Sequence, residues 1–321
     1  MPTWKVAYFS GVGGRAEFML EQAPPDLEVT VVDPELPDEE KAQLCRDADA
    51  IISSNISTDV LGQCPNVKLI QTLSAGYDRL DLEAILEMGI PVANNGGANA
   101  IAVAEHSIAL MINIGKRIMR QWNSTTLQRQ WRGDLYLDDL SELTDKTVGI
   151  VGLGRIGKHV AKRLTGFDTH TIYCDIVEIP QDVQQELKAE PVPFDDLLRT
   201  SDIVSLHVPL TRRTRGMMSD PEFGMMKPTA YLINACRGPV VDEAALVRAL
   251  QDGQIAFAGL DVLEEEPTPA ENPLFDMENV MITPHMAGQS QETNLRAAGF
   301  AYGNIMRVLR GETPESLVTP E

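Results

Sequence analysis

The chain has 321 residues, 43% of them hydrophobic, which is enough for two ordinary domains with a core each. Its 47 acidic and 27 basic residues leave a formal charge of -20, which repels nucleic-acid phosphates and anionic membranes and reads as a solubilising surface, so neither is an expected partner. Cys45, Cys64, Cys174 and Cys236 form no C-x-x-C pair and have no histidine at zinc-ligand spacing, so neither a metal site nor a disulfide framework is expected and a reduced, cytoplasmic setting fits.

Met1 to Ser10 reads as a strand and lacks a charged segment followed by a long apolar one, so no secretory leader is expected. Strand-like runs at Lys5 to Phe9, Glu28 to Val32, Ala50 to Ser53, Val67 to Thr72 and Ile90 to Ala93 alternate with helix-like ones such as Arg15 to Gln22 and Asp38 to Arg46. That alternation predicts a parallel sheet with crossover helices up to about residue 98. A long helix is predicted from Asn99, a suitable N-cap, to Gln121; its most apolar part is broken by Glu105, His106 and Asn113 and is too short to span a bilayer.

A second series of strands is predicted at Val148 to Val151, Thr169 to Cys174, Ile203 to His207, Tyr231 to Asn234, Ala256 to Asp261 and Val280 to Thr283. Six strands separated by helices match a doubly wound, dinucleotide-binding sheet. The last helix, Glu292 to Leu309, stops at Arg310-Gly311, and the Pro- and acid-rich tail beyond it is expected to be disordered.

Gly152-Leu153-Gly154-Arg155-Ile156-Gly157 follows an apolar strand and opens a helix, the context in which a G-x-G-x-x-G run carries weight. Gly152 permits the turn, Gly154 lets backbone approach a pyrophosphate, and Gly157 lets helix lie on strand, with free helix N–H groups facing the anion. Asp175 ends the next strand, where an acid accepts hydrogen bonds from ribose hydroxyls and repels a 2'-phosphate. No Arg or Lys lies in Cys174 to Gln181, so NAD is the expected cofactor rather than NADP.

Three further segments place polar groups at strand ends: Asn234-Ala235-Cys236-Arg237-Gly238, Asp261 to Pro267, and Thr283-Pro284-His285-Met286-Ala287-Gly288. With Ser74-Ala75-Gly76-Tyr77-Asp78, the Asn99 to His106 helix start and the glycine loop, they make nearly the whole chain resemble the D-isomer-specific 2-hydroxyacid dehydrogenases. The resemblance implies two doubly wound parallel-sheet domains. A Rossmann cofactor domain, residues 99–289, is inserted in a discontinuous flavodoxin-like substrate domain, residues 1–98 plus 290–321, with a hinged active site between them. It also implies hydride transfer between NAD(H) and C2 of a small D-2-hydroxy or 2-oxo acid.

By that resemblance Arg237, Glu266 and His285 form the catalytic set, and their chemistry suits the task. The planar fork of Arg237 can hold a carboxylate and polarise the adjacent carbonyl. His285 can give the nascent alkoxide a proton, and Glu266 would hold one ring nitrogen and favour the protonated ring. Spacing alone does not separate Glu264, Glu265 and Glu266; the family's Glu-Pro pattern selects Glu266. The resemblance further implies that His207, Val208, Pro209, Thr214, Ala235, Cys236, Asp261, His285 and Gly288 line the cofactor, with Asp261 at the nicotinamide carboxamide. Ser74, Ala75, Gly76 and Tyr77 would cap the substrate, backbone N–H groups of Ala75 and Gly76 meeting its carboxylate. His106 reads as structural and Cys236 as a small packing residue.

Ser53-Ser54-Asn55 stands where relatives acting on phosphorylated acids carry a basic residue, so an unphosphorylated acid of the glyoxylate, hydroxypyruvate or pyruvate type is expected. A phosphoglycerate-type dehydrogenase and an NAD-sensing corepressor-like binding protein are the alternatives. The stretch Arg117 to Leu143, with Trp122 and Trp131, is expected to pack on a second subunit in a homodimer.

Overall fold

The computed structural model describes residues 4–11, 13–132 and 140–319, so part of the Arg117 to Leu143 stretch lies outside the described residues. The chain divides into two compact units, Met1–Asn99 with Gln289–Glu321, and Ala100–Gly288. Both are built on wholly parallel sheets with helices in the crossovers.

The smaller unit has five strands, β1 (Trp4–Phe9), β2 (Leu27–Val32), β3 (Ala50–Ile52), β4 (Ile70–Gln71) and β5 (Val92–Ala93), ordered β2-β1-β3-β4-β5. Alternate residues feed two different cores: Ala7, Ile51 and Ile70 pack on one face, and Val6, Tyr8 and Ile52 on the other. A sheet covered on both sides reads as continuous apolar runs, which is why these short strands are so uniformly hydrophobic. The strand predicted over Val67 to Thr72 shortens to β4, because only Ile70 and Gln71 find partners on both sides.

The larger unit has seven strands, β6 (Thr147–Val151), β7 (His170–Cys174), β8 (Ala189–Pro191), β9 (Ile203–Leu206), β10 (Tyr231–Asn234), β11 (Phe257–Leu260) and β12 (Val280–Ile282). Their order is β12-β11-β10-β9-β6-β7-β8: the chain winds outward from β6 to β8, returns to β9 on the other side of β6, and winds outward again. Loops leaving the carboxyl ends of β6 and β9 therefore diverge and open a crevice, the place where ligands of such sheets bind. Sequence reasoning expects six strands and misses β8, a three-residue edge strand carrying Pro191, which an edge tolerates because that N–H is not needed.

The long helix is interrupted. It runs Ala100–Lys116, breaks where Arg117 takes a left-handed conformation (φ 52°), and resumes as Ile118–Trp122 and a π-helical turn, Asn123–Leu127. The Arg117 guanidinium lies 3.7 Å from the Phe257 ring centroid, a cation–π contact that compensates the break. No described helix is long and apolar enough to cross a membrane.

The tail after Gly311 is ordered through Thr319, contrary to its composition. Val318 is buried and its N–H donates to Val92 O at 2.8 Å, while Leu317 bridges Ala93 on the open edge of the smaller sheet. The anchor is Asn304, buried in the helix Gln291–Leu309: its amide donates to Gln71 Oε1 and Glu315 O, both at 2.9 Å, and its oxygen accepts Glu315 N–H at 2.8 Å. Each of these buried groups loses a partner if Asn304 is removed. Asn304→Ala is accordingly expected to cost about 1–3 kcal/mol, seen as a lower urea midpoint at unchanged slope, and to expose the tail to protease.

Candidate active site

At the carboxyl end of β6 the chain turns through Gly152, whose φ of +94° disfavours any side chain. A methyl group there would sit 2.8 Å from His207 O, and one on Gly157 would sit 2.2 Å from Gly152 O. Both positions are closed by backbone. At Gly154 a methyl group would meet nothing within 4 Å, so the loop faces open space at the start of the helix Arg155–Leu164. First-turn N–H groups of a helix, here those of Arg155, Ile156 and Gly157, lack intrahelical acceptors and attract anions. Room beside Gly154 and donors behind it fit a dinucleotide pyrophosphate.

Asp175 stands just past β7, half-buried, and its carboxylate accepts Leu153 N–H at 2.6 Å and Val177 N–H at 2.9 Å. It thus braces the glycine loop as well as presenting negative charge beside it. Ile176 and Val177, which follow it, are exposed. His207, just past β9, is buried; its Nε2 meets Ser205 Oγ at 2.9 Å and its Nδ1 has no hydrogen-bond partner. Burial lowers its pKa to about 4, so the ring packed behind the glycine loop is neutral. Thr214 closes the loop after Pro209 by donating to Pro209 O at 2.6 Å and accepting Thr211 N–H at 2.8 Å.

The loop after β10 is clasped by Asn234, whose oxygen accepts Cys236 N–H at 3.1 Å and whose amide donates to Arg237 O at 3.0 Å. Burial pushes the Cys236 thiol up to about 11, and its Sγ–H donates to Asn234 Oδ1 at 3.1 Å, leaving a packed, unreactive thiol next to buried Ala235. Arg237 is half-buried, with one guanidinium nitrogen donating to Cys236 O at 2.7 Å. At Gly238 a methyl group would lie 1.8 Å from Leu263 O, so the loops after β10 and β11 pass backbone against backbone. That crossing brings the Arg237 and Glu266 segments together.

Glu266 accepts Leu263 N–H at 3.1 Å with one oxygen and meets His285 Nδ1 at 2.7 Å with the other. This bond leaves His285 Nε2, on a half-exposed side chain, as the ring atom able to exchange a proton outward. His285 has φ +53° and is held by its own N–H donating to Asp261 O at 2.7 Å. Asp261 is almost wholly buried, and its carboxylate accepts Thr283 Oγ1–H at 2.6 Å, Met286 N–H at 2.9 Å and Ala287 N–H at 2.8 Å. The structure therefore shows Asp261 as the anchor of the loop from Thr283 to Gly288 that carries His285.

Two residues in this network carry no functional role in the sequence reading. Thr283 spends its one hydroxyl proton on Asp261, so it accepts from His106 Nε2 at 2.9 Å, which fixes the His106 tautomer and ties the helix Ala100–Lys116 to the His285 loop. The residues are 177 positions apart, and no local pattern signals the contact. Among the described residues no cluster of His, Cys, Asp or Glu could hold a metal ion.

In the smaller unit the loop after β4 holds Ser74 to Tyr77, all half-buried. Ser74 Oγ donates to Gly76 O at 2.7 Å, and the N–H groups of Ala75 and Gly76 have no hydrogen-bond partner among the described residues. Ser54 Oγ, from the loop after β3, approaches Ser74 Oγ at 3.4 Å, while Ser53 Oγ closes its own turn on Asn55. Adjacent free amide donors in a loop are a feature that suits an anion.

His207 also has a consequence for stability. Its ring is depressed to about 4 in the folded chain against 6.5 unfolded, so below pH 6.5 only the unfolded state takes the proton, and stability falls as pH drops towards 4. His207→Gln should remove on the order of 3 kcal/mol of that pH-dependent loss, measured by urea unfolding at pH 7 and near pH 4.

The family model for the D-isomer specific 2-hydroxyacid dehydrogenase NAD binding domain matches residues 108–287. A glyoxylate reductase of Thermofilum pendens is 41% identical over 295 residues, 88% of this chain and 85% of that protein. The holo form of Rhodotorula graminis D-mandelate dehydrogenase superposes with a TM-score of 0.88 at 26% identity, covering 100% of this chain and 99% of that one. The NAD-complexed D-isomer specific 2-hydroxyacid dehydrogenase of Lactobacillus delbrueckii gives 0.80 at 26% identity, over 98% and 100% of the two chains. With its glycine loop, its crevice between diverging loops and its Glu266–His285 pair, the chain belongs to the D-isomer specific 2-hydroxyacid dehydrogenase family and is an NAD-dependent oxidoreductase.

Proposed function

We propose that the chain reduces a small, unphosphorylated 2-oxo acid of the glyoxylate type to the D-2-hydroxy acid, and that Arg237, Glu266 and His285 carry the reaction. The observation behind this reading is the 2.7 Å bond from Glu266 to His285 Nδ1, which presents the opposite ring nitrogen as a proton donor. Glyoxylate reductases that are 41% and 36% identical to this chain support the substrate class.

Residues Gly152, Gly154, Arg155, Ile156 and Gly157 would hold the pyrophosphate, and Asp175 the adenosine ribose. His207, Val208, Pro209, Thr214, Ala235, Cys236, Asp261 and Gly288 would shape the nicotinamide side. When bound, NADH supplies the hydride that reaches C2. Arg237 polarises the carbonyl, drawing electron density towards its oxygen, and a substrate carboxylate suits the Ala75 and Gly76 amides, with Ser74 and Tyr77 beside them. His285 Nε2 gives its proton to that oxygen as the alkoxide forms, and Glu266 stabilises the ring before transfer and keeps its orientation. In the reverse direction His285 takes the proton from the hydroxyl.

Neutral Ser53, Ser54 and Asn55 offer no charge partner for a phosphate, which supports an uncharged substituent on C2, hydrogen, methyl or hydroxymethyl. Asp175, followed by exposed Ile176 and Val177, supports NADH over NADPH. All four cysteines are free thiols, which suits a cytoplasmic setting. Exposed Trp122, Leu127 and Trp131 form more apolar surface than a connecting segment needs, supporting a homodimer through this region.

Loss of NADH absorbance against a panel of glyoxylate, hydroxypyruvate, pyruvate and phosphohydroxypyruvate should show turnover of an unphosphorylated acid, weaker with NADPH. Arg237→Ala should lower its kcat/KM on the order of 10²–10³-fold. Silence across the panel despite NADH binding would overturn the substrate reading. Sedimentation at micromolar protein should give the mass of two chains, and Trp131→Asp should shift it towards one; a monomer in the parent chain would rule the dimer out.

A further inference from the structure

Three consecutive carbonyls of the loop after β4 are pinned. Ser74 O accepts Thr72 Oγ1–H at 2.7 Å and Asn95 N–H at 3.1 Å, Ala75 O accepts Asn94 Nδ2–H at 3.2 Å, and Gly76 O accepts Ser74 Oγ–H at 2.7 Å. In a trans peptide the carbonyl of one residue and the N–H of the next point in opposite directions. Holding Ser74 O and Ala75 O therefore turns the N–H groups of Ala75 and Gly76 away from Asn94 and Asn95, and those are the two amides left without a partner.

The grip on Ala75 depends on which way the Asn94 amide faces. Gly96 N–H, which can only donate, meets Asn94 Oδ1 at 3.1 Å, and Ser316 Oγ–H donates to the same oxygen at 2.6 Å. With the oxygen held by two donors, the amide nitrogen faces Ala75 O. Ser316 also accepts Asn94 N–H through its backbone carbonyl at 3.1 Å, so side chain and main chain of Asn94 are set by one residue of the tail. That residue has φ +56° and is flanked by the Glu315–Asn304 bond and the Val318–Val92 bond.

We propose that Asn94 is a positioning residue for the substrate carboxylate, and that Ser316, through the ordered tail, sets Asn94. Resting on the reading of Ala75 and Gly76 as the carboxylate site, this assigns the tail a part in substrate affinity. The chain runs from Ser316 to Asn94 to the Ala75 carbonyl to the Gly76 amide, and no member before the amide touches substrate. A carboxylate is held in ground and transition states alike, so loosening its amides raises KM and leaves kcat nearly unchanged.

The test is steady-state kinetics with glyoxylate and NADH, together with NADH affinity by fluorescence, on the full chain and on Asn94→Ala and Ser316→Ala. Asn94→Ala should raise KM for glyoxylate on the order of fivefold, the loss of about one hydrogen bond, with kcat within about twofold and the Kd for NADH unchanged. Ser316→Ala should raise it about two- to threefold. Should Asn94→Ala fail to fold, the Ser316 variant decides. An unchanged KM in Ser316→Ala, or a KM rise matched by weaker NADH binding, overturns the proposal. If the parent chain turns over no 2-oxo acid, the substrate reading falls and this inference falls with it; if the parent is active and the variants match its KM, only this inference fails.

Discussion

Gly152, Gly157 and Gly238 stand where main chain passes main chain with no room for a methyl group. The larger unit depends on these contacts. At Gly152 the glycine loop passes the backbone of His207, and at Gly157 the helix Arg155–Leu164 lies against the loop it springs from, which brings its free N–H groups to the end of β6. At the third, the loop carrying Arg237 crosses the loop that leads to Glu266. A parallel sheet buried on both faces has only its strand ends for chemistry, and crowding several strand ends together requires loops that pack without side chains.

Around that backbone the polar groups are arranged in two grades of burial. Asp261, Asn234 and Asp175 spend their oxygens on loop N–H groups, and Thr283 relays the hold on Asp261 to His106. These bonds are inward and static. Glu266 and His285 lie further out, one bond joining them and the other face of the imidazole left for solvent or ligand. Inner bonds fix where the outer groups stand, and the outer groups are left partly open to solvent. Neutral His207 follows the same division: a buried ring without charge, its backbone packed against the glycine loop.

The smaller unit obtains donors by a different route. It uses no helix terminus at the Ser74 to Tyr77 loop; hydrogen bonds to three carbonyls turn the peptide planes so that two amides face outward. Because part of that restraint comes from Ser316, the tail is joined to the loop by tertiary hydrogen bonds, and its Pro- and acid-rich composition says nothing of the order it attains.

The sequence by itself determined what is local: the strand–glycine–helix unit at Val151 to Gly157, the acid at Asp175, the parallel α/β class from alternating apolar runs, and the family from ordered motifs. Those signals survive translation into structure because each depends on a few neighbouring residues, on turn geometry and on side-chain period. Tertiary structure alone decided what depends on residues far apart in the chain. It showed β8 as an edge strand despite Pro191, broke the long helix at Arg117 over the ring of Phe257, and ordered the tail on Asn304. Spacing leaves Glu264, Glu265 and Glu266 alike and only the resemblance to the family's Glu-Pro pattern points to Glu266; the folded loop puts that residue 2.7 Å from His285 Nδ1. A hydrogen bond between residues 177 or 222 positions apart, as in His106 to Thr283 or Asn94 to Ser316, leaves no periodic trace, because its two ends are brought together by the whole packed core and not by their own neighbours.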